Sequence, residues 1–479
     1  MYLGIDLGTS SIKFVLIDDD HNMCFTHDEP LTISHPHPLW SEQNPQDWWI
    51  ALEKGFAELV QHNLGKNIKG IGFSGQMHGA VLLDDKGEVL RPAILWNDGR
   101  CAEECKQIND LSVKITGNLA MPGFTAGKLL WVEKYEPQIF AKIDKILLPK
   151  DYLRWRMSGV FATDMSDASG TLWLDIAKRC WSKEMLAACH LNEGQMPDLF
   201  EGCQPTATLT PQLAQLWGME CVPLVAGAGD NAAGAIGCGI IHPDQAMLSL
   251  GTSGVYFVAS DGFLRNPQKA VHSFCHALPD RWHLMSVILN AAGCLDWGAK
   301  MLGLADVATF IDVAQQAETE VHNPIFLPYL AGERTPLNDP YACGVFYGLS
   351  AGHRNANMAW AIIEGVSFAL ADAMDALHET GIRPQSATII GGGARSAFWR
   401  QLLADISGID LDYHQGGTVG PALGAAILAQ IALNPNGSVE QFCPQPPLIA
   451  QHKSNGEKYN SFLPRREKFR AIYHALKDI

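Results

Sequence analysis

Basic residues are scarce in this chain. Among 479 residues, 35 lysines and arginines stand against 51 aspartates and glutamates, a formal net charge of −16, and no basic run offsets the deficit locally. Such a surface repels nucleic-acid phosphate and anionic lipid, so neither is an expected partner, and any phosphate must be held by local geometry. Residues 1–20 lack the basic start and long apolar middle of a secretory signal. Nowhere does the chain offer the roughly 18 uninterrupted apolar residues of a membrane span. The cytoplasm is the expected compartment. A disulfide framework is also missing: the 12 cysteines are scattered, mostly beside apolar neighbours as at Cys221, Cys238, Cys294 and Cys343, which suits reduced core thiols. Two groups invite a zinc reading, Cys101 with Cys105, and His272 with Cys275 and His276. The first has no further ligand nearby and the second no matching pair at finger-like spacing, so no zinc site is expected.

What the chain does have is length and apolar content. At 47% hydrophobic it is too long for one ordinary core and is better divided into two lobes. Asp6-Leu7-Gly8-Thr9-Ser10 is echoed by Ser249-Leu250-Gly251-Thr252-Ser253, 243 positions on, the spacing of a duplicated domain. Each copy places β-type residues before the turn and an alternating run after it, Ile12, Phe14 and Leu16 in the first and Val255 and Phe257 in the second, so each reads as a hairpin. The boundary falls near Ile241-His242-Pro243-Asp244, giving lobes 1–242 and 243–479. Thr388–Ile390 is a strand candidate that Gly391, Gly392 and Gly393 turn into a helix capped by Ser396. Residues 420–433 form a helix with Pro421 in its first turn and small residues along one side, as close packing requires. From about Asn434 a proline-rich and then charged, helical stretch reads as a tail packed across the surface. The expected class is α/β, two lobes with a cleft between them.

A Gly-Thr-Ser tip suits phosphate because glycine admits close backbone approach while successive N–H groups and two hydroxyls form a small concave donor site. Two such tips can grip one polyphosphate from opposite sides. Asp6 becomes Ser249 in the second copy, so its carboxylate is no requirement of the hairpin; beside a triphosphate it points to Mg²⁺, held through water. In VPLVAGAGDNAAGAIGCG, residues 222–239, an apolar strand runs into a small-residue turn that delivers Asp230 and Asn231, and an aspartate so placed can act as general base toward a hydroxyl. The same stretch contains Gly227-x-Gly229-x-x-Ala232, a dinucleotide-like pattern that lacks the acidic residue about 20 positions on and leaves both tips unexplained.

These pieces, together with GQMHG (75–79), WNDGR (96–100), FTAGKLLW (124–131), DMSDASGT (164–171), FLPYLAGERTP (326–336) and GGGARSAFWRQLLADISG (391–408), resemble the FGGY carbohydrate kinases of the actin-like ATPase superfamily, almost end to end. Within that family the pattern is most similar to the bacterial xylulokinase branch; glycerol kinases carry an Arg-Glu pair in place of Met77-His78. The resemblance implies two actin-like, ribonuclease H-like lobes from a duplicated domain, with Mg-ATP between them and transfer of a phosphoryl group to a ketopentose hydroxyl, giving xylulose 5-phosphate. It implies Asp230 as proton acceptor, Asp6 near Mg²⁺, and Met77, His78 and Asn231 as sugar contacts, with Trp96, Asn97 and Asp98 lining the pocket. Gly8, Thr9, Ser10, Lys13, Gly251 and Thr252 fall at the phosphates, and Gly392, Gly393, Ala394 and Ser396 near adenosine. Glu333 and Arg334 read as a structural ion pair. Other FGGY substrates (ribulose, fuculose, gluconate, glycerol) stay open, as does subunit number, a homodimer included. A nucleotide-switched binding protein of the actin or chaperone type is the rival from another class; it needs a peptide-binding extension or polymerising surface, whereas this chain spends its length on small-molecule motifs.

Overall fold

The computed structural model describes residues 1–317, 322–415 and 420–479. Two seven-stranded mixed sheets organise it. The first contains β1 (Tyr2–Leu7), β2 (Ser11–Ile17), β3 (Met23–Pro30), β4 (Gly70–Gly75), β5 (Pro205–Thr208), β6 (Pro223–Val225) and β7 (Ala228–Gly229), ordered β3-β2-β1-β4-β6-β5 with β7 also on β4. The second contains β8 (Ala246–Leu250), β9 (Gly254–Ser260), β10 (His272–Cys275), β11 (Trp282–Ile288), β12 (Ser386–Ile390), β13 (Asp410–His414) and β14 (Leu448–His452), ordered β10-β11-β9-β8-β12-β13-β14. Apart from β7 and β10 the two orders are equivalent: an antiparallel meander, two parallel strands and an antiparallel edge. The repeat in the sequence is a repeat of whole sheets. No described helix is long and apolar enough to cross a membrane.

Helices cover the sheets. Those used below are α1 (Thr125–Tyr135), α2 (Pro149–Ser158), α3 (Asp230–Gly237), α4 (Ala292–Met301), α5 (Asn355–His378), α6 (Ala397–Ser407), α7 (Pro421–Leu433) and α8 (Gly456–Leu476). Two of them cross between the halves. Ala422, Ala426 and Ile427 of α7 share a core with Tyr2, Val15, Ile17 and Ala228 of the first sheet. Ala235 of α3, with Cys238 and Ile240 just beyond it, joins Met247, Phe257 and Met285 of the second sheet. Glycine makes this possible. A methyl group at Gly4 or Gly72 would lie 1.8 Å from the carbonyl oxygen of Ala422 or Ala425, and one at Gly424 would lie 1.8 Å from that of Ala233. Backbone therefore rests on backbone where α7 meets the first sheet and where it meets α3.

The two hairpins differ by one residue. Leu7 pairs with Ile12 across a four-residue tip, whereas Leu250 pairs with Gly254 across three. Because side chains alternate, a one-residue change moves the returning strand's pattern to the other face. Ile12 and Phe14 accordingly join a core with Leu3, Ile5 and Leu7. Phe257 instead pairs with Met247 and packs on the opposite face from Leu248 and Leu250.

The stretch after Asn434 is structural and not a surface strap, contrary to the sequence reading. Leu448–His452 completes the second sheet, and Phe469, Ile472 and Tyr473 of α8 lie in its main core. Arg466, 3% exposed, sits 2.7 Å from both Asp372 and Asp375 of α5, and Arg465 sits 2.6 Å from Glu364. Alternation of charge around α8 hid an apolar stripe, so the helix read as solvated.

Candidate active site

A row of side chains crosses the first sheet at one level. Asp28 on β3 pairs with Lys13 on β2, Lys13 with Asp6 on β1, Asp6 with Ser74 on β4, and Ser74 with Ala228 on β7. Register partners share a face, so Lys13 points the same way as Asp6; its ammonium lies 3.8 Å from Asp28. Between β6 and β7 the register on β4 slips by one residue, at Gly227. There φ is +84°, and a methyl group would lie 2.0 Å from the Phe73 carbonyl oxygen. The first glycine of the dinucleotide-like pattern thus serves a bulge, which re-aims the chain so that Asp230 opens α3 beside Asp6.

Both carboxyls feel their burial. Asp6 is pushed up to about 7, first by burial and then by the Asp230 charge, with the Ser74 hydroxyl and Lys13 opposing. Asp230 is pushed up to about 6 by burial, opposed by Asn231, whose backbone N–H and side-chain amide donate to Asp230 Oδ1 at 2.7 and 2.9 Å. That leaves Oδ2 for another partner. Asp6 Oδ1 is buried with no hydrogen-bond partner among the described residues. A divalent cation reached through water would satisfy that atom and offset the repulsion between the carboxylates, so the residues fit Mg²⁺. Among the described residues no three His, Cys, Asp or Glu side chains form a cage. An ion here would rest on water and phosphate oxygens as much as on protein.

The first tip is wired to the loop after β4. The Thr9 hydroxyl donates to Gln76 Oε1 at 3.0 Å and accepts from the Trp96 indole N–H at 2.9 Å. Gln43 Nε2 donates to the Thr9 carbonyl at 2.7 Å, and Gln43 Oε1 accepts from Gln76 Nε2 and from the Trp48 indole, each at 3.0 Å. Trp96 stays 39% exposed, so part of its side chain is open to solvent. Gly8 and Ser10 complete the tip between Leu7, which ends β1, and Ser11, which opens β2.

Met77 and His78 follow Gln76 directly. Met77 packs against the backbone ahead of Asp230: a methyl group on Gly229 would lie 2.8 Å from Met77 Cγ. His78 Nδ1 lies 2.7 Å from the Gly170 carbonyl oxygen, which can only accept, so Nδ1 carries the proton and Nε2 presents a lone pair. Burial, reinforced by Lys128 and Arg334, pushes the imidazole down to about 3, so it is neutral. Its ring meets Phe124 edge-on at 4.8 Å, and Phe124 meets His272 of the second half at 5.3 Å.

Asp98 is placed differently from its neighbour Trp96. Its side chain has no exposure, and its oxygens accept from Arg100 Nε at 2.9 Å, Arg100 NH2 at 2.6 Å and the Ser41 N–H at 2.6 Å. Glu333 and Arg334 do not form the expected side-chain ion pair. Glu333 Oε1 accepts from the backbone N–H groups of Leu289 and Arg334 at 2.9 and 2.8 Å, and burial pushes its carboxyl up to about 8. The Arg334 guanidinium turns away to His272 Nε2, 3.5 Å off.

At the second tip the carbonyls of Gly251 and Thr252 accept from Ala292 and Ala291 at 2.9 and 2.8 Å, docking the start of α4 onto the turn. Gly391, at φ +93°, passes the end of β8 so closely that a methyl group would lie 2.6 Å from the Leu250 carbonyl. Gly392 has open space around it, whereas Gly393 abuts Leu250 and Trp399. Ala394 is fully buried, and Ser396 Oγ accepts from the Trp399 N–H at 3.1 Å as an N-cap. Here the backbone, not the side chains, is available to a ligand. Gln43, Gln76 and Lys128 escaped the sequence reading; only Gln76 and Lys128 carried a signal, by lying inside GQMHG and FTAGKLLW.

Duplicated sheets with glycine-tipped hairpins, bridged by crossing helices, with Asp6 at the end of β1 beside Asp230 at the start of α3, make the frame of a carbohydrate kinase. The model of the FGGY family of carbohydrate kinases matches with its N-terminal domain over residues 1–237 and its C-terminal domain over 246–433, and the chain belongs to that family. Over 479 residues, 99% of either chain, it is 58% identical to a xylulose kinase of Escherichia coli (strain K12). Among solved structures it resembles a xyloylose kinase from Brucella ovis, TM-score 0.94 at 42% identity over 100% of this chain and 99% of that one. It also resembles a gluconate kinase from Lactobacillus acidophilus, TM-score 0.93 at 28% identity over 99% and 97%.

Proposed function

We infer that this chain phosphorylates D-xylulose to D-xylulose 5-phosphate with ATP and Mg²⁺. Full-length 58% identity to a xylulose kinase is the single observation that carries the choice of sugar; the site geometry carries the chemistry. ATP supplies the phosphoryl group, and bound Mg²⁺ supplies neutralisation of its charge. Phosphoryl transfer proceeds through a loose state in which positioning and electrostatics dominate. Asp230 takes the proton of the attacking hydroxyl through Oδ2 while Asn231 holds Oδ1. Met77 lies along the sugar's carbon chain, His78 Nε2 accepts from a hydroxyl, and Trp96 forms a wall. Asp98, consumed by Arg100 and Ser41, supports that wall by fixing the loop. Gly8, Thr9, Ser10 and Lys13 face the phosphates from one lobe and Gly251 and Thr252 from the other; Gly392, Gly393, Ala394 and Ser396 offer backbone to adenosine.

We take the moving units as 1–242 and 243–479, the compartment as the cytoplasm, which the 12 free thiols suit, and the assembly as a homodimer. Exposed Leu330, Tyr341, Tyr347 and Leu349 support the last, and sedimentation equilibrium tests it. A panel of ketoses, aldonates and polyols in a coupled ATP assay tests the substrate. D-xylulose is expected to give the highest kcat/KM. A clear preference for gluconate, to which the second reading and the likeness to a gluconate kinase point, would overturn the assignment.

A further inference from the structure

His78 is held in an unusual conformation, and its holder is itself unusual. The residue has φ +69°, the left-handed region that non-glycine residues seldom occupy without support. Its ring is fixed by the Gly170 carbonyl. Its own carbonyl oxygen accepts from Lys128 Nζ at 2.8 Å and Thr125 Oγ1 at 3.1 Å, both on the first turn of α1. Lys128 is fully buried. It also donates to the Gly123 carbonyl at 2.9 Å, and among the described residues no carboxylate lies within ion-pair distance of it. Burial pulls its ammonium down to about 8.

A buried ammonium without a counter-ion is costly, whereas an apolar side chain of the same length would fill the space without that cost. What the charge adds is a pair of strong, charge-assisted donors aimed at two loop carbonyls. We propose that Lys128, seconded by Thr125, is the positioning residue that fixes the left-handed turn of His78 and so aims the Nε2 lone pair at the sugar. This rests on the reading of His78 as a sugar contact. Without Lys128 the turn relaxes, the imidazole swings off its Gly170 anchor, and sugar affinity drops while the machinery around Asp230 stays assembled.

The test compares Lys128→Met and Thr125→Val with the full-length wild type by steady-state kinetics, with thermal melting and ATP-analogue binding as controls for folding. Lys128→Met is expected to raise sugar KM at least tenfold with less than a threefold fall in kcat, and Thr125→Val to raise it about threefold. A sugar KM within twofold of wild type in folded Lys128→Met overturns the proposal, as does a fall in kcat larger than the rise in KM. Should Lys128→Met fail to fold, Thr125→Val decides: an unchanged sugar KM refutes the clamp. Wild type inactive on D-xylulose but active on another sugar refutes the substrate reading instead, and the variants are then measured on that sugar.

Discussion

The indole N–H of Trp96 donates to the hydroxyl of Thr9 at 2.9 Å, and that hydroxyl spends its one proton on Gln76. The indole proposed as the wall of the sugar pocket is therefore tied to the tip of the hairpin proposed to hold phosphate. Removing the indole N–H in Trp96→Phe costs one hydrogen bond, about 1 kcal/mol, or about fivefold in an equilibrium. The expected outcome is a sugar KM raised by about that factor. Sugar and ATP KM values both equal to wild type would show the tie to be idle.

Asp230→Asn keeps the shape of the side chain and removes its capacity to take a proton. It should retain nucleotide binding and lose at least about a hundredfold in kcat, the usual range for a positioned base. Calorimetric titration with a nonhydrolysable ATP analogue, paired with single-turnover kinetics, measures both. A variant keeping a tenth of wild-type kcat rules Asp230 out as the base.

The same aspartate sets an acid limb. Burial holds its carboxyl at about 6, and the base must be ionised to work, so kcat/KM should fall as pH drops through about 6 instead of near the ordinary carboxylate value. The pair with Asp6 titrates together, which broadens the limb. A profile flat down to pH 5 contradicts the assignment.

Asp6 predicts a stability effect of opposite sign to that of most carboxylates. Its folded-state value, about 7, lies above the ordinary one, so protonated Asp6 favours the fold; that contribution is full below about 4 and disappears as pH rises through about 7. Asp6→Asn should therefore gain on wild type between pH 5 and pH 8, by roughly 2 kcal/mol. Mg²⁺ with nucleotide should narrow the gap by neutralising the charge. Parallel unfolding curves for the two proteins across that range would refute the burial argument.

Gly424→Ala tests the crossing of the halves. The added methyl would lie 1.8 Å from the Ala233 carbonyl, backbone that cannot yield unless α3 and α7 separate. Overpacking of this kind costs on the order of 3 kcal/mol. Thermal unfolding of the variant should show a Tm several degrees lower, and kcat should fall with it because Asp230 opens α3. An unchanged Tm would mean the helices have slack the structure does not show.

Much of the candidate site was legible because the chemistry proposed for it is written in short local runs. Gly8 to Ser10 and Gly251 to Ser253 announce backbone-lined tips, and a lone aspartate among small residues marks Asp230. Gln43 was invisible for the opposite reason: nothing local distinguishes it, and it matters only because folding sets it beneath Thr9. Arg334 was misread for a related reason, since adjacency to Glu333 suggested a pair, whereas the fold sets His272 where the guanidinium reaches.

By itself the sequence determined the duplicated architecture, the hairpin tips and the small-residue helix at 421–433, since periodicity and glycine placement act within a few residues. Tertiary structure alone decided that α3 and α7 exchange sheets, that one residue fewer in the second tip turns Phe257 to the other face, and that α8 belongs to the core. Those outcomes depend on which surfaces meet, and contact between residues hundreds of positions apart leaves no local mark on either.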